Sequence, residues 1–209
     1  MSATRRSGTT ARGAATSESE QAPARPLGVV LAGGAGRRLG GAKATAVLRG
    51  RPLIAWPLAA LGEVLDDVVV VAKGDTVLPP DLTAPVWVEP DAPRHPIAGL
   101  LHALAGAGGR SVLVCAVDLP GVTAATVARL AGMPGEGAAL AVDPDGRVQP
   151  LLGRYPASAA DVLRAAASDA RLTDTVLALR PTLLPAPAAE LRNVNTPEDL
   201  AAAEAKTQP

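Results

Sequence analysis

The chain has 209 residues and a formal net charge of zero, 20 Lys and Arg against 20 Asp and Glu. That length suits one sizeable α/β domain with a tail, and the charge balance excludes a nucleic-acid surface held by bulk positive charge. Apolar residues make up 48% of the chain but include no Phe, one Tyr and two Trp, so the core must be packed from Ala, Val and Leu.

Residues 1–26 hold Ser, Thr, Ala, Arg and Glu but no Val, Ile, Leu or aromatic residue. Such a stretch cannot bury enough apolar surface to fold, and it has no apolar signal-peptide core. It reads as a disordered leader, and residues 27–206 as a single domain. Nowhere do apolar residues run to the roughly 18 of a membrane span.

Residues 27–43, LGVVLAGGAGRRLGGAK, carry a short buried strand straight into glycines and basic residues. Gly33, Gly34 and Gly36 let the backbone turn so that N–H groups converge on an anion, and Arg37, Arg38 and Lys43 add positive charge. A helix is expected over 51–65, where Leu53, Ile54, Leu58 and Leu61 recur at helical spacing; Pro57 within it marks a kink or a later start. DVVVVA at 67–72 and the shorter run 86–88 read as strands buried on both faces, with a turn-rich surface loop between them. A second helix is expected over 95–107, a buried strand over 111–117 and a helix over 124–131. The lone cysteine, Cys115, falls in that strand and reads as a small buried side chain in a reducing compartment.

The alternation of strands and helices implies a mostly parallel sheet covered on both faces. Two strands, 138–142 and 148–155, flank the turn Asp143-Pro144-Asp145-Gly146. Helices over 157–167 and 172–179, a last strand around Leu183 and Leu184, and a strand-like piece plus a helix within 191–205 complete the fold.

Two familiar phosphate loops are excluded. In the Walker A pattern the second glycine is followed at once by Lys and then Ser or Thr, whereas here Ala42 intervenes before Lys43 and Ala44 follows it. In the dinucleotide fingerprint the third glycine would stand at Leu39. Asp118 is the strongest single carboxylate, because it ends an apolar strand where a hard cation bound to a triphosphate needs only one or two protein ligands. Thr196-Pro197-Glu198-Asp199 is a good helix start, which leaves Asn193 and Asn195 as two amides on one face. His95 and His102 read as surface residues, and neither a metal-spaced Cys/His cluster nor a Ser/His/Asp arrangement is evident.

Taken together, LAGGAGRRLGGAK, GRPL from Gly50, HPIAG from His95, VCAVDLP and NVNTPEDL resemble the molybdenum cofactor guanylyltransferases, within the wider nucleotidyltransferase family. The resemblance implies a Rossmann-like three-layer α/β sandwich and transfer of GMP from Mg-GTP to the terminal phosphate of molybdopterin, with pyrophosphate released. It implies that Leu31, Ala32, Gly33, Gly34 and Gly36 border the nucleotide. Arg37 and Lys43 would hold the triphosphate, Pro96, Ala98 and Gly99 would face the base with Asp91 a nucleotide contact just before them, Asp118 would bind Mg²⁺, and Asn193 and Asn195 would lie on the pterin side. A molybdoenzyme or cofactor-carrier protein would be the downstream partner. Two positions depart from the family pattern: Ala42 stands where Asp is common before the lysine, and Gln149 where His is common. Rival readings are a molybdenum cofactor cytidylyltransferase, a sugar-1-phosphate nucleotidyltransferase and a non-catalytic binder of the same fold.

Overall fold

The computed structural model describes residues 25–34, 39, 42–166 and 170–205. The leader expected over 1–26 lies outside these except for Arg25 and Pro26, and so do Gly36, Arg37 and Arg38 of the glycine-rich loop.

Strand β1 (Leu27–Leu31) is buried along its whole length. One 3₁₀ turn, Lys43–Thr45, leads into an antiparallel hairpin of β2 (Val47–Leu48) and β3 (Arg51–Pro52). Its tip, Arg49 and Gly50, has φ of 52° and 73°, the left-handed pair that a two-residue hairpin loop demands. The helix expected over 51–65 is therefore shorter. The hairpin takes residues 51 and 52, and α1 (Ala55–Gly62) keeps Pro57 in its first turn, where no backbone N–H partner is lost.

Strands β4 (Val68–Lys73) and β5 (Val86–Glu89) follow. Helix α2 (Pro96–Gly106) opens with Pro at its first position and His95 as N-cap. Then come β6 (Val112–Ala116) and α3 (Ala124–Ala131), the latter capped by the Thr123 hydroxyl, which accepts from the Thr126 N–H at 3.3 Å. Strands β7 (Ala139–Val142) and β8 (Val148–Tyr155) form the expected antiparallel pair. Helices α4 (Ala159–Ala165) and α5 (Leu172–Leu177), strand β9 (Thr182–Pro185) and helix α6 (Pro197–Ala205) close the described chain. The strand-like piece expected before α6 does not join the sheet. Its Val194 N–H instead bonds to the Asp118 carbonyl, just past the end of β6, at 2.8 Å.

The seven-stranded sheet runs β5-β4-β1-β6-β8-β7-β9. Every neighbouring pair is parallel except the two that involve β8. Period-two alternation sends Val30, Leu113 and Cys115 to the face packed by Leu61 of α1 and Leu130 of α3. Val29, Leu31 and Val114 face Leu100 of α2, Leu163 of α4 and Val176 of α5 on the other side. This is the three-layer sandwich expected, built mostly from aliphatic side chains with Tyr155 fully buried among them. A satellite cluster of Leu48, Leu53 and Val194, with Trp56 and Leu200 against it, docks the C-terminal segment on the hairpin. Among the described residues no helix is long and apolar enough to cross a membrane.

Burial in β6 leaves Cys115 fully shielded and pushes its thiol well above the usual range. A thiol reagent at neutral pH is expected to leave Cys115 unlabelled in the native protein and to label it only on unfolding. Rapid labelling of the native protein, followed by absorbance, would show that β6 opens.

Candidate active site

Strands β5, β4, β1 and β6 run parallel, so their carboxyl ends meet along one edge, where such sheets leave a crevice. A cleft of about 280 Å³ opens there. Leu31, Gly33 and Gly34 enter it from the end of β1, Val117 and Asp118 from the end of β6, and Pro96 and Gly99 from the first turn of α2.

Asp118 Oδ2 accepts from Lys43 Nζ at 2.8 Å and from Asn193 Nδ2 at 2.8 Å. Lys43 Nζ also donates to Asn195 Oδ1 at 2.6 Å, and Gln149 Nε2 to Asn193 Oδ1 at 3.2 Å. The side chains of Lys43 and Asp118 keep 13% and 12% of their exposure. The pair is thus withdrawn from bulk water but still open to the cleft, with amides completing its hydrogen bonds as a partly buried ion pair requires.

Each part has a local cause. The 3₁₀ turn holds Lys43 in place: the Ala42 carbonyl accepts from the Thr45 hydroxyl at 2.9 Å and from the Thr45 N–H at 3.0 Å. Val194 is buried at 1% exposure against Leu48 and Leu53, which frees its neighbours Asn193 and Asn195 to project toward Asp118. Asp199 Oδ2 accepts from the N–H groups of Asn195 and Thr196, each at 2.9 Å, and the Thr196 hydroxyl accepts from the Asp199 N–H at 3.1 Å. This reciprocal cap fixes the backbone that carries Asn195.

The glycine turn is packed as tightly. A Cβ at Gly33 would lie 2.3 Å from Glu89 Oε1, so a larger residue there would have to push that carboxylate aside.

Of the residues expected at the site, Leu31, Gly33, Gly34, Lys43, Pro96, Gly99 and Asp118 line the one cleft. Asn193 and Asn195 reach it through their bonds to Asp118 and Lys43. Ala32 is buried beneath it, its side chain in the core on the α1 face. Ala98 is half-buried on α2 and Asp91 is exposed, and neither is among the residues that line the cleft. Gly36 and Arg37 lie outside the described residues.

Lys73, Glu89 and His95 also line the cleft, although the motifs do not single out the first two and His95 reads from sequence as a surface residue. Lys73 and Glu89 each end an apolar strand, the signal that marks Asp118, and could have been found by it. His95 is half-buried because its Nδ1 accepts from the Ile97 N–H at 3.2 Å. Gln149 stands out in the sequence only as a departure from the family's His, and its bond to Asn193, 44 positions away, carries no local signal.

Asp118 fits a hard cation that completes its coordination with phosphate oxygens and water. Among the described residues no group of three or more His, Cys, Asp or Glu could hold a metal alone. Such an ion would thus need a bound polyphosphate.

A parallel sheet whose carboxyl edge brings together a glycine turn, a lysine and a strand-end aspartate defines a nucleotide-handling α/β enzyme. The family model described as "MobA-like NTP transferase domain" matches residues 28–183, and the chain belongs to this family. A molybdenum cofactor guanylyltransferase from Cereibacter sphaeroides is 36% identical over 187 residues, covering 86% of this chain and 96% of the relative. A probable molybdenum cofactor guanylyltransferase from Mycobacterium marinum is 37% identical over 186 residues, covering 84% and 91%. The crystal structure of molybdopterin-guanine dinucleotide biosynthesis protein A from Archaeoglobus fulgidus matches with a TM-score of 0.63 at 28% identity, covering 86% of this chain and 97% of that one.

The Asn195 N–H, followed by Thr196, holds the Asp199 carboxyl below its ordinary value of 3.8. A folded value below the unfolded one gives stability that is complete above the unfolded value and is lost as pH falls through the folded one. The stability gap between the wild type and Asp199→Ala is therefore expected to be constant near neutral pH and to narrow below about pH 4. Thermal midpoints measured against pH check this, and parallel curves for the two proteins would refute it.

Proposed function

We propose that this chain transfers GMP from Mg-GTP to the terminal phosphate of molybdopterin, releasing pyrophosphate. The observation that carries the reading is the 2.8 Å contact between Lys43 and Asp118 at the cleft. It sets a phosphate-binding cation beside a metal-binding carboxylate at the carboxyl edge of a parallel sheet. The names of the relatives at 36% and 37% identity supply the substrates.

In this reading the nucleotide lies along the glycine turn, bordered by Leu31, Ala32, Gly33, Gly34 and Gly36, with its base toward Pro96, Ala98 and Gly99. Lys43 and Arg37 hold the triphosphate. Asp118 holds Mg²⁺, which when bound supplies charge neutralisation on the phosphates. A terminal phosphate oxygen of molybdopterin forms a bond to the α-phosphorus, and the bond from that phosphorus to the α,β-bridging oxygen breaks, so pyrophosphate leaves. The protein forms no bond of its own. Its work is to position the two anions and offset their charge, which is the larger part of phosphoryl-transfer catalysis. Asn193 and Asn195 orient Lys43 and Asp118 and face the pterin side, with Gln149 bracing Asn193. A cytoplasmic setting, and delivery of the product to a molybdoenzyme or a cofactor carrier, complete the reading.

The test is pyrophosphate release with GTP, Mg²⁺ and molybdopterin. Asp118→Asn and Lys43→Ala are each expected to slow release by about a hundredfold or more, with a thermal melt checking that each variant, having lost one partner of the charge pair, is still folded at the assay temperature. Wild-type rates in a folded Asp118→Asn protein would remove that residue from the mechanism. GTP binding without pyrophosphate release in the wild type would favour a non-catalytic carrier.

A further inference from the structure

The end of the cleft beside β5 has a closed floor and an open rim. In the floor, Glu89 Oε2 is buried and Lys73 Nζ lies 3.3 Å from it, so a ligand does not reach that carboxylate. The rim is formed by Arg94 and His95, which follow β5 and line the cleft. The Arg94 side chain keeps 48% of its exposure. Its Nη2 donates to Asp75 Oδ2 at 2.5 Å, and its other N–H groups have no partner among the described residues. Asp75 holds the Arg94 pKa above its ordinary value, and the charges of Asp91 and Glu89 add to this, so the guanidinium stands within the field of the buried carboxylate.

The rest of the rim has the same polarity. His95 Nδ1 accepts from the Ile97 N–H at 3.2 Å, so the neutral ring carries its proton on Nε2 and is a second donor. The carbonyls of Pro90 and Pro93 in the same segment are already taken by Lys73. A ligand at this end therefore meets side-chain donors. Strand order places β5 and β6 on opposite sides of the β4-β1 pair, three strand spacings or about 14 Å apart. A phosphate held by Lys43 and Asp118 cannot also touch Arg94, whereas the base of the same nucleotide can.

We propose that Arg94 sets base specificity by donating two parallel hydrogen bonds to O6 and N7 of guanine. The proposal rests on GTP being the nucleotide. A guanidinium fork matches that pair of acceptors, and this is the commonest specific contact made to guanine in nucleic-acid recognition. Adenine and cytosine each carry an amino group on the corresponding edge, which opposes a donor, so the same side chain favours one base and penalises the others. Asp75 is the positioning residue: it takes one N–H of the guanidinium and leaves the remaining donors for the base. Lys73 fixes the segment from below through the two proline carbonyls.

The test uses the full chain with Mg²⁺ in titration calorimetry against GTP, 7-deaza-GTP, ATP and CTP. 7-Deaza-GTP lacks the N7 acceptor and keeps every other group of guanine. The wild type is expected to bind it about tenfold weaker than GTP, the lower end of what a bidentate base contact contributes. Arg94→Met keeps the aliphatic stem and removes the donors. It is expected to weaken GTP by about tenfold, to bring the ratio of GTP to 7-deaza-GTP toward one, and to leave CTP unchanged. Arg94→Gln is expected to improve ATP relative to GTP, because a glutamine amide pairs with N6 and N7 of adenine. An exposed ion pair adds little to stability, and thermal melts check that both variants are folded.

If Arg94 instead binds phosphate, Arg94→Met weakens GTP, ATP and CTP alike and the ratio of GTP to 7-deaza-GTP is unchanged. That result, or equal wild-type affinity for GTP and 7-deaza-GTP, overturns the assignment of Arg94 and leaves GMP transfer standing. Wild-type preference for CTP over GTP overturns both.

Discussion

Lys43 and Asp118 stand 75 positions apart in sequence and 2.8 Å apart in space, and much of the architecture serves that contact. Asp118 is delivered by β6, whose parallel register with β1 pairs Leu31 with Ala116 and brings the two strands to the same edge together. Lys43 is delivered by a single 3₁₀ turn and the hairpin after it. The C-terminal segment then closes the arrangement, because burial of Val194 against the hairpin and the bond from its N–H to the Asp118 carbonyl set two asparagines on the ion pair. Sheet, hairpin and tail are thus coupled through one charge pair.

A second pair, Lys73 and Glu89, lies in the same cleft, and the contrast between the two is informative. Lys43 and Asp118 retain 13% and 12% side-chain exposure, whereas Lys73 and Glu89 retain 2% and 5%. An ion pair that must give way to incoming phosphate and metal has to stay within reach of water, since separating deeply buried charges is strongly unfavourable. The first pair meets that condition. The second is locked in place, with Lys73 engaged by two carbonyls. One cleft therefore has an exchangeable end and a rigid end.

Most of the fold was legible in the sequence because its signals are local. Valine runs gave the strands, the 196–199 segment gave a helix start, and the alternation of elements gave the parallel sheet. The β2-β3 hairpin was missed because its strands are two residues each, too short for any period to register, and because Leu53 and Ile54 continue the pattern of the helix behind them. At the site, Lys43 and Asp118 were legible as a lysine after a glycine turn and an acid ending an apolar strand. Glu89 carried the second of those signals, in a strand whose Val86 and Val88 are exposed at the sheet edge. What could not be read was the pairing itself. The bonds from Gln149 to Asn193 and from Lys43 to Asn195 span 44 and 152 positions, and no local pattern encodes them.

The two departures from the family pattern have structural accounts. At Ala42 an aspartate side chain is missing, but the turn there is held by the backbone: the Ala42 carbonyl takes hydrogen bonds from both the hydroxyl and the N–H of Thr45, and the Ala46 N–H is within 3.1 Å of it. The turn that carries Lys43 is therefore held without a carboxylate at the preceding residue. At Gln149 the amide keeps a donor for Asn193 and an acceptor for the Leu151 N–H at 3.4 Å, so the chain from Gln149 through Asn193 to Asp118 is continuous. An amide, unlike a histidine, does not change charge between pH 5 and 8. The polar network around Asp118 in this chain is thus braced on that side by a group of constant charge.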